Sequence, residues 1–66
     1  MTDPQREALR RLAKAPEVYS SPDDLQVPHR MLGFLARFGY VEAARKKRSG
    51  PKVYRITLAG LEQLMM

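Results

Sequence analysis

Apolar positions recur along this chain with two periods, and each period predicts its own elements. Ala8, Leu9, Leu12 and Ala13 fall at i, i+1, i+4 and i+5, the stripe of an amphipathic helix, with Arg6, Arg10 and Arg11 mostly off it. Thr2 is placed to cap that helix, with Gln5 three residues on as the return partner of a capping box. Asp3 and Pro4 suit its first turn, and Pro16 stops it near Ala15. Glu17 to Ser20 reads as a connector, in which Val18 and Tyr19 offer a short third strand to a later hairpin. Ser21-Pro22-Asp23-Asp24 is a second helix start, with Asp24 shorter than the usual Glu of a capping box. Leu25 anchors this helix inward, and Pro28 limits it to one or two turns.

Pro28 fits the first turn of a third helix over residues 28–38. On a 3.6-residue period Met31, Leu35 and Phe38 share one face, with Leu32 and Phe34 at its flanks. Gln26, His29, Arg30, Gly33 and Arg37 fall on the opposite face. Gly39 suits the left-handed position that ends a helix, and Tyr40 can pack back on Leu35. The period then changes. Val41 to Arg45 reads as a strand and Lys52 to Thr57 as its antiparallel partner, Tyr54 and Ile56 alternating against Val53 and Arg55. Ser49-Gly50-Pro51 supplies the turn. Thr57 caps a last helix with an apolar seam of Leu58, Leu61, Leu64 and Met65. Gly60 inside that helix costs about 1 kcal/mol against Ala, so close packing is expected there.

Sixty-six residues make one domain at most, residues 1–66. So short a chain buries about 60% of its unfolded surface, and dimerisation or a ligand would support it. The absence of cysteine excludes disulfides and thiolate metal sites. No apolar run is long enough to span a bilayer, and MTDPQREALRRL has no signal-peptide core, so a cytoplasmic protein without membrane contact is expected.

Charge changes the picture more. Residues 1–26 carry four basic and five acidic side chains, a balance of −1, and residues 27–66 carry eight and two, a balance of +6. Such asymmetry points to a polyanionic partner, nucleic acid ahead of membrane, against the blander reading of a solvated basic face.

The element order is α-α-α-β-β-α, and LxxLxRFGYVEAxRxxxSGPKVYRITLAGLEQL spans Leu32 to Leu64. This stretch resembles the winged helix-turn-helix superfamily, in the style of MarR-like and PadR-like regulators. In those families a recognition helix ends in GYV or GLV, a basic wing follows, and Y-x-L-T-x-x-G opens the next helix. Here that last motif is Tyr54-Arg55-Ile56-Thr57-Leu58-Ala59-Gly60, with Ile for Leu. The resemblance implies an α+β fold: three helices, a two-stranded β-hairpin wing with a short third strand as an option, and a C-terminal helix. The second helix is shorter than usual for a helix-turn-helix, and the extra dimerisation helices of MarR-like proteins have no counterpart, so a full regulator with an effector pocket is not expected.

The resemblance also implies a use for the basic surface. The third helix would lie in the major groove, presenting Gln26, His29, Arg30, Gly33 and Arg37 to base edges. Arginine grips guanine in a bidentate fork, and glutamine pairs similarly with adenine. Gly33 has two readings, close approach to the duplex or contact with another helix. Arg45, Lys46, Lys47, Arg48, Lys52 and Arg55 would hold phosphates from the wing, which gives affinity without sequence information. A solvated charge run is the plainer alternative, and the tract also resembles a nuclear import signal.

Chemistry beyond binding finds little footing. His29 is the only histidine, and a metal site needs three or four ligands. Asp23 and Asp24 suit a helix start better than a catalytic pair, Glu42 and Glu62 stand isolated, and no hydroxyl or amine has an evident activating base. No enzyme activity and no cofactor are expected. Tyr40 and Tyr54 could stack on unpaired bases but sit where the pattern asks for buried positions. The leading expectation is a small double-stranded DNA-binding protein that regulates transcription. A winged helix used for protein–protein contact is the alternative, and RNA binding a third. A homodimer through Leu61, Leu64 and Met65 stays open beside the reading in which these close the monomer core.

Overall fold

In the computed structural model, which describes residues 2–45 and 50–65, the elements follow the expected order. Helix α1 is Asp3–Ala13, α2 Pro22–Leu25 and α3 His29–Arg37. Strand β1 is Val41–Arg45, β2 Lys52–Ile56, and helix α4 Leu58–Met65. The chain is a compact α+β domain: four helices and one antiparallel hairpin among the described residues.

The local chemistry of the helix ends accounts for their positions. The Thr2 hydroxyl accepts from the Gln5 N–H and the Gln5 side chain accepts from the Thr2 N–H, a complete capping box. Helix α1 ends at Ala13, two residues before the expected Ala15. Ser21 Oγ accepts from the Asp24 N–H at 3.1 Å, and Pro22 opens α2. Pro28 lies just outside α3, as its N-cap, rather than within its first turn. Gly39 has φ +82°; its N–H donates to the Ala36 carbonyl at 3.0 Å while the Tyr40 N–H donates to Leu35 at 2.9 Å. That pair of bonds is a Schellman motif, and it turns the chain from α3 into β1. Thr57 Oγ1 accepts from the Gly60 N–H at 3.1 Å and so caps α4.

The core forms where these elements meet. Ala8, Leu9 and Leu12 of α1, Leu32 and Leu35 of α3, and Val41, Tyr54 and Ile56 of the hairpin are buried together with Leu25 and Val27. Val27, in the link between α2 and α3, is a core residue that periodicity does not mark. The hairpin register pairs Val41 with Ile56, Ala43 with Tyr54 and Arg45 with Lys52. Directly paired residues share a face and alternate along each strand. One face therefore carries Val41, Ala43, Arg45, Lys52, Tyr54 and Ile56, and the other carries Glu42, Ala44, Val53 and Arg55.

Four expectations change. The third strand shrinks to a single bridge, and at Ser20 rather than Val18 or Tyr19: Ser20 and Tyr54 exchange two backbone bonds of 2.8 Å each. Phe34 and Phe38 do not look inward; they are 46% and 60% exposed. Helix α3 is rolled so that Leu32 and Leu35 point at the core, which carries Phe34 toward the polar side. The seam of α4 is only half buried: Leu61 and Leu64 pack on the core, whereas Leu58 and Met65 are 74% and 86% exposed. Gly60 is the reason. It lies buried against the Tyr40 carbonyl oxygen and 2.7 Å, from the position a Cβ would take, from Ile56 Cγ1, so the helix rests on its glycine and turns Leu58 and Met65 out. Finally, Glu42 is not isolated: it pairs across the hairpin with Arg55 and accepts from Tyr19. Among the described residues no helix is long and apolar enough to cross a membrane.

Candidate nucleic-acid interface

The outward face of α3 is built by the burial of its inward one. With Leu32 and Leu35 fixed in the core, Arg30, Gly33, Phe34 and Arg37 line one open depression on the opposite side. A Cβ added at Gly33 would meet nothing within 4 Å among the described residues, so the reading of Gly33 as a contact with another helix of this fold falls away. Arg30 and Arg37 are exposed, and no acidic side chain pairs with either among the described residues. Among the described residues no side chain caps the α3 N-terminus, so its first-turn N–H groups add a partial positive charge beside His29 and Arg30.

His29 ties this helix to the hairpin. Its Nε2 lies 3.3 Å from the hydroxyl of the buried Tyr54, and the two rings meet edge-on with centroids 6.1 Å apart. The contact satisfies the one polar atom of the Tyr54 side chain and removes that ring from any role in stacking on bases. Tyr54 shares its hairpin face with Arg45 and Lys52, which pair directly across the strands. The exposed face of α3 and the described basic residues of that hairpin face are thus joined through His29 and Tyr54. Two like charges directly opposite each other are mildly unfavourable. Arg45 and Lys52 have no acidic partner among the described residues, so an anion between them would relieve that repulsion. Lys46, Lys47 and Arg48 lie outside the described residues.

Two expected site residues are placed elsewhere. Gln26 is not on α3; it caps α2 in the left-handed conformation, φ 55°, and its carbonyl accepts from Arg11 Nη1 at 3.2 Å. The same Arg11 nitrogen donates to the Leu25 carbonyl at 2.6 Å, so a cation from α1 closes the end of the short α2. Arg55 lies on the other face of the hairpin. Its Nε donates to Glu42 Oε1, and its guanidinium sits 4.9 Å from the centre of the Tyr19 ring. The Tyr19 hydroxyl donates to the same Glu42 oxygen at 2.9 Å. Arg55 is therefore already neutralised and faces away from Arg45 and Lys52. Cross-strand pairing of residues 42 and 55 is the signal in the sequence that would have shown this, once the hairpin register is counted back from the turn.

The two donors to Glu42, Tyr19 first and Arg55 second, hold its carboxyl below the usual glutamate range. The Tyr19 hydroxyl is pushed up, chiefly by its bond to Glu42 and against the pull of Arg55. A carboxyl held low in the fold stabilises it above the unfolded value of about 4.3, and that contribution is lost as pH falls through the lower folded value. Glu42→Gln should therefore cost stability at pH 7 and progressively less below about pH 4. Thermal melts of both proteins from pH 7 down to pH 2.5 check this; a gap in Tm that stays constant over the range would contradict it.

Comparison with protein-family models, with curated proteins and with solved structures finds no match to this chain.

Proposed function

We propose that this chain is a small duplex DNA-binding protein of the winged helix-turn-helix type, a cytoplasmic, nucleoid-associated regulator of transcription. In this reading α3 is the recognition helix and the hairpin is the wing. The observation that carries it is the joined surface of α3 and the hairpin: Arg30 and Arg37 exposed around an open Gly33, and Arg45 and Lys52 unneutralised by any described acid on the face that His29 and Tyr54 link to α3. The Ser20–Tyr54 bridge adds support, since it places the segment before α2 against β2, where a winged helix carries its first strand. Arg30 and Arg37 read base edges in the major groove, and Arg45, Lys52 and the tract Lys46, Lys47, Arg48 hold phosphates. Arg55 plays a structural part, and Gln26 is a turn residue beside the interface.

Fluorescence anisotropy with a labelled random-sequence duplex tests this. Affinity should fall linearly in log–log salt with a slope near −0.9 for each phosphate neutralised. Replacing Lys46, Lys47 and Arg48 with Ala should flatten the slope by roughly 2 to 3 and weaken all duplexes alike. Binding no tighter than that of a free peptide carrying residues 45–52, at equal salt, would refute the reading.

A second reading, a winged helix that docks on a protein, is favoured by one observation. Met31, Phe34, Pro4 and Pro28 line an apolar groove between α1 and α3. Co-purification of one stoichiometric protein partner, insensitive to nuclease, would support it over the duplex.

A further inference from the structure

Phe34 is the residue that the basic reading of this surface leaves unexplained. Arg30, Phe34 and Arg37 stand at i, i+4 and i+7 of α3, so the ring sits between two arginines on one face. It is 46% exposed and lies outside the core, and beside it Gly33 leaves open space where a side chain would stand. The ring borders the apolar groove with Pro4, Pro28 and Met31 but stays half in water and adds nothing to the core. Phe38, one turn on, differs: its ring lies 5.8 Å from that of Tyr40, off the arginine face.

We infer that Phe34 reads the 5-methyl group of thymine, making α3 selective for a thymine close to the bases gripped by Arg30 and Arg37. The inference rests on the duplex reading above. A T·A pair differs from the others in the major groove by an apolar methyl at the groove surface, and an apolar side chain beside it is the complementary contact. The arginines supply the electrostatic complementarity that seats the helix on a polyanion. The missing side chain at Gly33 lets the helix approach closely enough for a ring anchored at position 34 to reach the methyl. Polar side chains tell thymine from cytosine by the O4 acceptor against the N4 donor, but they gain nothing from the methyl. A ring does, because burying one methyl is favourable and burying the cytosine amino group against the ring is not.

The test separates this inference from the reading beneath it. A random duplex library is enriched for binding by the wild-type protein, and the enriched pool is then copied once with thymidine and once with deoxyuridine nucleotides. The two pools carry the same phosphates and base-pair edges and differ only in the 5-methyl groups. Wild type should bind the thymine pool about fourfold more tightly for each methyl contacted. Phe34→Ala should bind both pools equally, Phe34→Leu should retain part of the preference, and Phe38→Ala should retain all of it. Circular dichroism confirms that each variant is folded. Equal binding of the two pools by wild type overturns the inference while the duplex reading stands. A preference that survives in Phe34→Ala overturns it too, because another group then reads the methyl. Failure to enrich any pool removes the duplex reading, and this inference with it.

Discussion

Gly60→Ala is expected to cost about 2–3 kcal/mol and to lower Tm by roughly 10–20 °C, although alanine is the better helix former. A Cβ at this position would overlap the Tyr40 carbonyl oxygen, lie 2.7 Å from Ile56 Cγ1 and lie 3.1 Å from the Tyr40 carbonyl carbon. Two of those three contacts are backbone, so no rotamer change relieves them. That carbonyl also accepts from the Thr57 N–H at 3.0 Å, which extends the hairpin ladder by one bond. Moving it would loosen the hairpin as well as α4. A domain of this size rarely holds more than about 3–5 kcal/mol, so the substitution removes most of its stability. Gly33→Ala should do the opposite. It meets no described neighbour, so it gains up to about 1 kcal/mol of helix propensity. If it then binds duplex more weakly while melting higher, the glycine serves the interface and not the fold. Paired melts of the two variants check both signs.

Arg30→Ala and Arg37→Ala should each cost about 1–3 kcal/mol on the preferred site, roughly five- to 150-fold in affinity, and far less on unrelated duplexes. Both side chains are exposed and unpaired with any described acid, so neither removal leaves a buried charge behind or disturbs the core. The contrast with the residue 46–48 tract is the diagnostic feature. Losing base-edge contacts narrows the gap between specific and general binding, whereas losing phosphate contacts lowers both together. Arg55→Ala belongs to neither class. Its guanidinium is held by Glu42 and Tyr19, so it should lower stability and leave the salt slope unchanged. Titration of the three variants against the preferred site and a scrambled duplex separates these outcomes.

Local signals carried most of the fold. The caps at Thr2, Ser21 and Thr57 and the left-handed Gly39 are each fixed by chemistry within a few residues, and each lies where the sequence places it. Gly60 packs closely, as its place inside a helix leads one to expect, but its neighbour is Tyr40, which only the fold brings to it. Long-range geometry was harder to read. A helical period gives the width of an apolar stripe but not the roll of the helix on its core. Phe34 and Phe38 therefore join the inward face on paper and the outward one in space. The same limit hid the exposure of Leu58 and Met65. Gln26 falls in phase with the outer face of α3 along the sequence, but a left-handed cap breaks the helical phase between α2 and α3. Glu42 and Arg55 are thirteen residues apart, and only the strand register brings them together with Tyr19 from the connector. Within the candidate site, His29, Arg30, Gly33, Arg37, Arg45 and Lys52 were legible as one outward basic set. The bond that joins its two halves, His29 to Tyr54, was not, because it depends on how α3 crosses the hairpin.

Duplex binding by the face that joins α3 to the hairpin is tested most directly by amide chemical-shift mapping of the labelled protein during titration with a duplex from the enriched pool. Shifts should concentrate on residues 29–37 and on Arg45 and Lys52, with Glu42, Arg55 and the exposed end of α4 at Leu58 and Met65 unchanged. Shifts centred on α4 or on the Tyr19–Glu42–Arg55 face, or no shifts at a duplex excess at low salt, would contradict it.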